Sequence, residues 1–283
     1  MTGMQHNIYV NQNGKIIKEN TAAISVNNRS FRYGDGCFET MKIIDNTLLF
    51  SDYHFERLFS SLALLQFELP TYFTPNFLLE QVLELAKKNY HNKLARIRLM
   101  IYRGDGGLYD PQNHFPNYLI QTWELNPTNN KLNENGLIID IFEGAVKHHD
   151  TFSAIKSNNY LGYAMAALWV KQQQLNDAIL LNPFGGVADA TIANVFILKD
   201  GIAKTPSLTE GGINGIMRRN LLEKLPSIGI EAQETTLTVE DLLAADELFF
   251  TNSIYGIRWV KKLRNKEYGN EGAAFIYKNM VSR

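Results

Sequence analysis

The chain has 283 residues, of which 45% are hydrophobic and 20% are charged, and its formal net charge at pH 7 is −1. That length is more than one ordinary hydrophobic core requires, so we expect two domains or one large domain. The balanced charge provides neither a basic surface for nucleic acid nor an acidic tail, so we expect no nucleic-acid partner. Apolar runs such as residues 61–69 are too short to cross a bilayer, and we expect no membrane association.

The numbers and positions of cysteine and histidine, together with the first residues of the chain, exclude further classes of protein. Cys37 is the only cysteine, which excludes an intrachain disulfide and a cluster of thiolate metal ligands. The six histidines lack ligand spacing, and the adjacent His148 and His149 diverge on either a helix or a strand, so no metal site is predicted. Residues 1–10 lack the charged start and apolar middle of a signal peptide, which predicts a cytoplasmic location.

Two hairpins and a capped helix are predicted in the first third of the chain. Residues 7–18 form the first hairpin, because an Asn-Gly pair at 13–14 favours a tight turn between strands. Residues 38–50 form the second hairpin, with its turn at the Asp-Asn pair 45–46. Ser51 then caps a helix whose leucines recur at helical spacing.

The pattern of helices and strands restarts after a polar segment. Residues 126–136, NPTNNKLNENG, are rich in asparagine and lack periodicity, which is typical of a linker. This assigns residues 1–125 to a small N-terminal α+β domain and residues 137–283 to a C-terminal domain. The remaining predicted helices lie near 76–89, 160–174, 214 and 238, and the remaining predicted strands near 96–103, 118–123, 137–142, 178–181, 195–198 and 247–251. Together these elements predict an α+β fold with two domains.

Lys156 lies in TFSAIKSNNYLGYAMAA, between a strand-like run and an alanine-rich helix, at an element end where side chains can face a cleft. A lysine that forms a Schiff base needs such a partly desolvated place, because only a neutral amine attacks an aldehyde. Most lysines are instead solvated, so this residue alone favours an ordinary surface position. Other segments of the chain, described next, favour the Schiff-base role over a surface position.

Seven groups of residues along the chain carry a resemblance to a known family. They are RSFRYGDGCFET at 29–40, HFERL at 54–58, ARIR with YRG at 95–104, KSNNYL at 156–161, GVAD with NVF at 186–196, TP with GIMR at 205–218, and DELF with TNS at 246–253. In this order they resemble the signature segments of the class IV aminotransferases, the fold-type IV family of pyridoxal-phosphate (PLP) enzymes. The resemblance implies a small α+β N-terminal domain, a larger pseudo-barrel α/β C-terminal domain, and PLP in the cleft between them. It also implies a homodimer in which a neighbouring N-domain loop completes each site.

The same resemblance implies which residues hold PLP. Lys156 carries the cofactor as a Schiff base and moves a proton during the reaction, while Arg57 contacts the phosphate with a planar guanidinium. The phosphate also meets a second turn and the helix that opens after Gly215, whose first N–H groups favour an anion. The implied phosphate contacts are Ile216 and Met217 at the helix start, and Asn252 and Ser253 in the second turn. Tyr160 is the implied contact of the phenolic oxygen of PLP, and Asp189 is the implied contact of its ring nitrogen.

Two of these positions depart from the family pattern. The family has glutamate where this chain has Asp189, so the carboxylate that keeps the ring nitrogen protonated is one methylene shorter. The ring or the strand must then shift, or a water must bridge the gap. The alternative for Asp189 is an ordinary turn residue after Gly185 and Gly186. The segment after Lys156 is one residue shorter than in the branched-chain members, so Tyr160 is either the ligand of the phenolic oxygen or a core aromatic of its helix.

The substrate carboxylate requires an arginine or a set of backbone donors. Alternation along the strand at 96–103 places Arg98 and its alternate neighbours on one face, and Arg98 matches an active-site arginine of the branched-chain enzymes. Arg32 is a second candidate, and Phe38 is a third residue expected to contact substrate. The D-amino-acid members instead use an arginine and a histidine just after this strand, and GGLYD at 106–110 contains neither. A solvent-exposed position is the alternative for each arginine.

Three activities fall within the resemblance. The first is transamination between a D-amino acid or branched-chain L-amino acid and a 2-oxo acid, which Tyr160 and Arg98 favour. The second is 4-amino-4-deoxychorismate lyase, which releases pyruvate and 4-aminobenzoate; FRYGDGCF, GINGIMR and TNS are closer to that group. No residue specifically supports the third, an (R)-amine transaminase. The alternative that is not an enzyme is a degenerate scaffold protein that only binds PLP. The presence of Lys156, Arg57 and the helix after Gly215 argues against it. We therefore predict a PLP-dependent transaminase.

Overall fold

Residues 8–281 are described by the computed structural model of the protein, and they divide into two compact units. One unit contains residues 8–126 together with Lys156–Asn159, and the other contains Pro127–Ile155 and residues 160–281. The segment at 126–136 includes a single turn of 3-10 helix at Pro127–Asn130, and its role as an interdomain linker stays a prediction. No helix within the described residues is long and apolar enough to cross a membrane.

The first unit is built around one antiparallel sheet. Within residues 8–126 its elements are β1 (Tyr9–Gln12), β2 (Lys15–Lys18), α1 (Arg29–Tyr33), β3 (Gly36–Ile44), β4 (Thr47–Leu48), α2 (Ser51–Leu64), α3 (Pro75–Lys88), β5 (Leu94–Arg103) and β6 (Pro116–Glu124). The strands are ordered β2-β1-β6-β5-β3-β4, and each neighbouring pair is antiparallel. Side chains along each strand therefore alternate between the two faces of the sheet.

Both predicted hairpins of this unit are confirmed. Asn13 and Gly14 join β1 to β2, and Asp45 and Asn46 join β3 to β4, all four with positive φ. Glycine adopts this backbone region without strain, and asparagine and aspartate adopt it more readily than other residues. The local sequence therefore dictates both turns. Residue 7, where the first predicted hairpin begins, lies outside the described residues.

The predicted cap at Ser51 is wrong. Ser51 is the first residue of α2, and the cap position belongs to Phe50, which has a left-handed backbone (φ 54°) and makes no side-chain capping bond. The next helix, α3, begins in the ordinary way, because the hydroxyl of Thr74 accepts the N–H of Phe77 and Pro75 occupies the first turn. The chain turns directly out of β4 into α2, and that turn requires the unusual backbone of Phe50.

The two long helices of the first unit cover one face of its sheet. Leu58 and Leu62 of α2 and Leu78 and Leu85 of α3 are almost fully buried, at the helical spacing that the sequence shows. Glu39 of β3 bonds to α2, so the odd-numbered residues of that strand face the helices. The even-numbered residues from 38 to 42 consequently lie on the opposite face.

The second unit contains a larger, mixed sheet. Within residues 127–281 its elements are β7 (Leu137–Val146), α4 (Leu161–Gln172), β8 (Asp177–Leu181), β9 (Val187–Ala190), β10 (Asn194–Lys199), β11 (Ile202–Pro206), α5 (Ile216–Lys224), β12 (Glu231–Thr235), α6 (Val239–Ala244), β13 (Glu247–Asn252), β14 (Gly256–Leu263), β15 (Lys266–Glu267) and α7 (Glu271–Ile276). The strands are ordered β12-β11-β10-β13-β14-β7-β8-β9, with β15 paired to β14. The β11–β12, β14–β7 and β7–β8 pairs are parallel. A parallel pair needs a crossover, and α4 supplies it between β7 and β8.

The core of the second unit is formed by strand residues with apolar side chains. Ile179, Val195, Ile197, Leu248 and Phe250 belong to one cluster and are at most 2% exposed. Their strands are nearly continuous apolar runs, as expected where both faces of a sheet are covered. This packing makes β8, β9, β10 and β13 a rigid support for the polar residues at their ends.

Candidate active site

The segment containing Lys156 extends the sheet of the first unit. The backbone N–H of Phe38 donates to the carbonyl of Lys156 at 2.9 Å, and the N–H of Asn158 donates to the carbonyl of Gly36 at 3.0 Å. The residue between Lys156 and Asn158 forms an antiparallel bridge with β3. The short strand β4 pairs only with the last residues of β3, so the lysine segment occupies the beginning of that edge. Backbone pairing therefore fixes the position of Lys156.

Two glycines of the RSFRYGDGCFET motif leave room for the lysine segment. Gly34 ends α1 with φ 71°, and a Cβ on it would lie 2.1 Å from Asn159 Oδ1. A Cβ on Gly36 would lie 2.3 Å from a carbonyl oxygen of β5 and 2.7 Å from Asn158 Nδ2. The amide of Asn158 also donates to the hydroxyl of Ser30 at 2.7 Å. The first motif and the lysine motif of the sequence are thus in direct contact.

Gly36→Ala is expected to displace the lysine segment, because the added methyl group would overlap both β5 and Asn158. Overpacking of this kind costs about 1–3 kcal/mol of the free energy of unfolding, and a displacement of about 1 Å at a catalytic group costs about a hundredfold in rate. Urea unfolding and turnover measure the two effects. Gly269→Ala is the matched control, since nothing lies within 4 Å of a Cβ there. Wild-type turnover in Gly36→Ala would contradict this docking.

The ring of Phe38 brings Lys156 and Arg98 together. Lys156 Nζ lies 4.7 Å and Arg98 Cζ lies 4.1 Å from the ring centroid, both suitable for cation–π contacts. Arg98 is paired with Thr40 in the β3–β5 register, so it lies on the face opposite the helices. Arg32, the second predicted arginine, is exposed and stacks on the neighbouring tyrosine ring at 5.0 Å. An amine and a guanidinium therefore share one sheet face beside a buried aromatic ring.

Two further cations lie on that face. Lys42 is directly opposite Arg96 in the β3–β5 pair. Burial lowers the pKa of Lys42 to about 8, and burial together with the charge of Arg98 lowers the pKa of Arg96. The Arg96 guanidinium lies 5.3 Å from the ring centroid of Trp123, and its Nε is buried without a hydrogen-bond partner among the described residues. A concentration of positive charge of this kind attracts anionic substrates.

The helix-covered face of β3 carries a buried cluster of Glu39, His54 and Arg57. Arg57 donates from Nε to Glu39 Oε1 at 2.8 Å and from Nη2 to Oε2 at 2.5 Å, which is a bidentate pair. His54 Nδ1 lies 2.6 Å from Glu39 Oε2. Burial opposes the charge of Glu39, but Arg57 and the hydrogen bond from His54 outweigh it and hold the pKa of Glu39 below its usual range. Glu39 therefore stays ionised and fixes the plane of the Arg57 guanidinium.

His54 acts in this cluster as a neutral donor. Burial lowers its pKa more than the neighbouring carboxylate of Glu39 raises it. An ionised carboxylate only accepts hydrogen bonds, so the proton of the neutral ring belongs on Nδ1. The second ring nitrogen, Nε2, is then an acceptor, and it is buried without a partner among the described residues.

Asp189 of β9 is buried, and its carboxylate accepts three hydrogen bonds. Oδ1 accepts from Asn194 Nδ2 at 3.0 Å, while Oδ2 accepts from the N–H of Ile213 at 3.0 Å and from the hydroxyl of Tyr163 at 3.1 Å. Burial, the charge of Asp189 and this hydrogen bond raise the pKa of Tyr163 well above its usual value, so Tyr163 keeps its proton and donates. Donors of this kind favour the charged form of a carboxylate. A carboxylate that is held in this way suits a protonated ring nitrogen.

Asn194 ties Asp189 to the start of α5. Its amide also donates to a backbone carbonyl at 2.8 Å, and a Cβ on Gly215 would lie 1.8 Å from its Oδ1. Gly215 is the N-cap of α5 and offers no side-chain cap. The first N–H groups of α5, those of Ile216 and Met217, therefore have no capping side chain, as an anion site at a helix start requires.

The turn after β13 is held by the side chain of Asn252. Its Oδ1 accepts the N–H groups two and three residues later, at 2.9 and 3.2 Å, and Ser253 lies within the turn that these bonds close. Thr251 lies opposite Asn194 in the β10–β13 pair. The hydroxyl of Thr251 is buried and has no hydrogen-bond partner in the part of the chain that the structure describes. A polar group without a partner is thus present beside Asn194.

Two tyrosines at the start of α4 differ in position. Tyr160 is the N-cap residue and is 41% exposed, whereas Tyr163 bonds to Asp189. The motif directed the sequence analysis to Tyr160, and Tyr163 was missed. Its spacing from the apolar residues Ala166 and Val170, which the structure shows to be buried, was the available signal, because positions three and seven apart share a helix face.

Glu39 was also missed by the sequence analysis, although it lies inside the first motif. Its partner Arg57 belongs to the second motif, and nothing in the spacing of the two segments indicates an ion pair. Carboxylates are rarely fully buried unless they are paired. A glutamate among the apolar residues of a predicted strand could therefore have suggested a buried partner.

Comparison with known proteins identifies the class of this architecture. A branched-chain aminotransferase from Thermoproteus uzoniensis, whose crystal structure contains norvaline, is similar with a TM-score of 0.86 and 24% identity, over 97% of this chain and 95% of that one. The chain therefore has the two-domain α+β fold-type IV architecture, and the predicted fold class is confirmed.

Sequence relatives and a family profile identify the family. A protein of Methanocaldococcus jannaschii provisionally named a branched-chain-amino-acid aminotransferase is 31% identical, over 96% of this chain and 93% of its own. An aminodeoxychorismate lyase of Bacillus subtilis is 32% identical, over 93% of this chain and 89% of its own. The profile of the family described as amino-transferase class IV matches residues 36–263. The chain belongs to the class IV aminotransferases; it is an enzyme, and its cofactor is PLP.

Each unit, taken by itself, contains groups whose chemistry fits part of PLP. Lys156 provides the amine that the aldehyde of PLP requires, and backbone pairing fixes the position of this residue. The start of α5 lacks a side-chain cap, which suits a phosphate. Asp189 provides a carboxylate fixed by three donors, which suits a ring nitrogen. The aldehyde, the phosphate and the ring nitrogen of the cofactor therefore each have a counterpart among the described residues.

Proposed function

We propose that the protein is a PLP-dependent transaminase, which moves an amino group between an amino acid and a 2-oxo acid. The observation that carries this proposal is the ring of Phe38, which places the amine of Lys156 and the guanidinium of Arg98 on one sheet face. A transaminase uses one amine and binds the carboxylates of its two substrates in turn, so both groups must act in the same place. The amino donor is a D-amino acid or a branched-chain L-amino acid.

The cofactor contacts are part of the same proposal. They are Lys156, Arg57, Tyr160, Asp189, Asn252, Ser253 and the backbone N–H groups of Ile216 and Met217. When bound, PLP withdraws electrons from the α-carbon of the substrate. The amine of Lys156 would accept the α-proton of the substrate and deliver it to the C4′ carbon of the cofactor, which requires the partly buried position that it occupies. Glu39 supports the role of Arg57, because it holds the guanidinium in one orientation.

Arg98 is the proposed site for the substrate carboxylate, with Arg32 assisting and Phe38 packing against the substrate. Three observations support Arg98: it lies near the amine of Lys156, it belongs to a row of cations, and it lies on the sheet face that the helices leave uncovered. A planar guanidinium binds a carboxylate with two parallel hydrogen bonds. The exposed position of Arg32 supports a contact at the outer end of the substrate rather than beside the amine.

Aminodeoxychorismate lyase is the second candidate function, which the Bacillus subtilis relative supports. Both reactions begin with loss of the α-proton, so Lys156 serves either. They differ afterwards, because a lyase releases 4-aminobenzoate and pyruvate and has no second amino acceptor. A transaminase must bind a 2-oxo acid in the pocket that the donor has left.

Spectroscopy of the two half-reactions is expected to distinguish these functions. An amino donor alone should shift the visible absorbance of the cofactor, and addition of 2-oxoglutarate or pyruvate should return it. Arg98→Ala should weaken the apparent affinity for donor and acceptor together, by about ten- to a hundredfold, because one charge-assisted contact serves both carboxylates. Arg264→Ala is the control, since Arg264 pairs with Asp140 at the surface.

Two outcomes would contradict this assignment. If no D- or L-amino acid shifts the absorbance while aminodeoxychorismate yields pyruvate, the protein is a lyase. If Arg98→Ala leaves both half-reactions intact, the carboxylate is held elsewhere and Arg32 is the next residue to replace. A homodimer, a cytoplasmic location and the absence of a nucleic-acid partner stay predictions.

A further inference from the structure

The hydroxyl of Tyr163 is placed where it can control the orientation of the Asp189 carboxylate. It donates to Asp189 Oδ2 at 3.1 Å, and the same oxygen accepts the N–H of Ile213 at 3.0 Å. The other oxygen, Oδ1, accepts from Asn194 at 3.0 Å. The donor from Ile213 is backbone and the donor from Asn194 is itself bonded to a backbone carbonyl at 2.8 Å. Tyr163 is the donor that α4 contributes, whereas Asn194 lies in β10 and Ile213 lies in the segment before α5.

The ring of Tyr163 is itself held in place. Lys147 at the end of β7 lies with its Nζ 4.6 Å from the ring centroid, a cation–π contact. Ala166 and Val170 are buried on the same face of α4, so the tyrosine projects from the packed side of the helix. These contacts restrict the position of the ring and therefore of its hydroxyl group. The orientation of the carboxylate is then determined by the position of the hydroxyl.

We propose that Tyr163 is a positioning residue that fixes the carboxylate of Asp189 for the ring nitrogen of PLP. The inference rests on the proposed contact between Asp189 and that nitrogen. An aspartate side chain has two rotatable bonds, and donors at both oxygens leave one orientation for its charge. Without the hydroxyl, Asn194 still donates to Oδ1 and the N–H of Ile213 still donates to Oδ2, but Oδ2 loses one of its two described donors. The carboxylate is then held less tightly, and the ring nitrogen loses part of the fixed geometry of its partner although the charge is still present.

The test compares four forms of the protein: wild type, Tyr163→Phe, Asp189→Asn and Tyr268→Phe. Tyr268 is the matched control, because its hydroxyl donates to the carbonyl of Leu242 at 2.8 Å and is buried in the same unit. The measurements are the affinity of the protein for PLP and the ¹⁵N chemical shift of the ring nitrogen in bound, labelled PLP. The chemical shift reports directly on the hydrogen bond and protonation at that nitrogen. A tyrosine with a merely structural role would leave it unchanged.

The expected result has three parts. Asp189→Asn moves the ¹⁵N signal away from its wild-type position and lowers PLP affinity by about tenfold or more. Tyr163→Phe moves the signal in the same direction by a smaller amount and lowers affinity by about three- to tenfold, the range of one hydrogen bond. Tyr268→Phe leaves the signal and the affinity at their wild-type values, while its thermal midpoint falls about as much as that of Tyr163→Phe.

A second variant keeps the inference testable if Tyr163→Phe folds poorly. In Tyr163→Phe/Asp189→Glu the space left by the hydroxyl accommodates one additional methylene, so PLP affinity should return to within about threefold of wild type. Asp189→Glu alone should bind PLP more weakly than this double variant, because the longer side chain meets the hydroxyl.

The possible outcomes distinguish failure of the proposed role of Tyr163 from failure of the proposed contact between Asp189 and the ring nitrogen. An unchanged ¹⁵N signal in Asp189→Asn would refute the ring contact, and the role of Tyr163 with it. A changed signal in Asp189→Asn but an unchanged signal in Tyr163→Phe would refute only the role of Tyr163. Equal losses of affinity in Tyr163→Phe and Tyr268→Phe, or a double variant weaker than both single variants, would likewise show that Tyr163 does not position Asp189.

Discussion

Lys156→Ala is expected to reduce turnover by about 10⁴-fold or more, because a positioned acid–base group contributes about 10²–10⁴ and this lysine is also the proposed attachment point of the cofactor. The visible absorbance that depends on the lysine should disappear. PLP should still bind through its phosphate, since Arg57 and the start of α5 are unchanged. Stopped-flow turnover, absorbance in the near-ultraviolet and visible range and equilibrium dialysis of PLP measure the three effects.

The control for this replacement is Lys171→Ala. Lys171 is exposed in the last turn of α4 and has no proposed role, so its removal should leave absorbance and turnover unchanged. If Lys156→Ala retains near-native turnover, the catalytic amine is another residue. Loss of PLP binding without any loss of unfolding free energy would show that Lys156 contributes more to affinity than the phosphate contacts do.

Glu39→Gln is expected to destabilise the first unit by about 3–5 kcal/mol, the cost of removing one partner from a buried ion pair. Arg57 and Glu39 have side chains that are 10% and 2% exposed, so the guanidinium would be left with a neutral partner in a poorly hydrated place. His54 would lose its ionised acceptor as well. Urea unfolding of the protein without cofactor at pH 7 measures the change.

The effect of Glu39→Gln should depend on pH in a defined direction. The pKa of Glu39 is lowered in the folded protein, so the unfolded chain takes up the proton first as pH falls. The stability that this carboxylate contributes is complete at neutral pH and is lost progressively below about pH 4. The difference between wild type and variant should shrink over that range. Glu80→Gln, at an exposed position on α3, should change stability by less than about 0.5 kcal/mol. A similarly small loss in Glu39→Gln would contradict a buried ion pair.

Local sequence signals predicted the parts of the fold that depend on few residues. The turns at 13–14 and 45–46 formed as predicted because Asn, Asp and Gly tolerate positive φ. The capping box at Thr238, with Asp241 as its second member, begins α6 where a helix was predicted. The prediction for Ser51 failed because the turn out of β4 determines the backbone of Phe50, and that constraint comes from the strand pairing.

Contacts between distant segments could not be derived from single motifs. The lysine segment pairs with β3 more than a hundred residues earlier, and only the sizes of Gly34 and Gly36 hint at it. Alternation along β5 did predict the face of Arg98, because period two is a local property. The partners of Asp189 could not be predicted in this way, since Tyr163 and Ile213 come from a helix and a loop on either side of it in sequence.

Reduction of the PLP-loaded protein with borohydride, followed by peptide mapping, tests the central claim most directly. The reduction makes the bond between cofactor and lysine permanent, so mass spectrometry identifies the residue. We predict one phosphopyridoxyl group per chain, on Lys156. The informative alternative is Lys147, whose pKa is lowered by burial and which lies beside Tyr163. A label on Lys147 or on any other lysine, or no label on a protein that has bound PLP, would contradict the account.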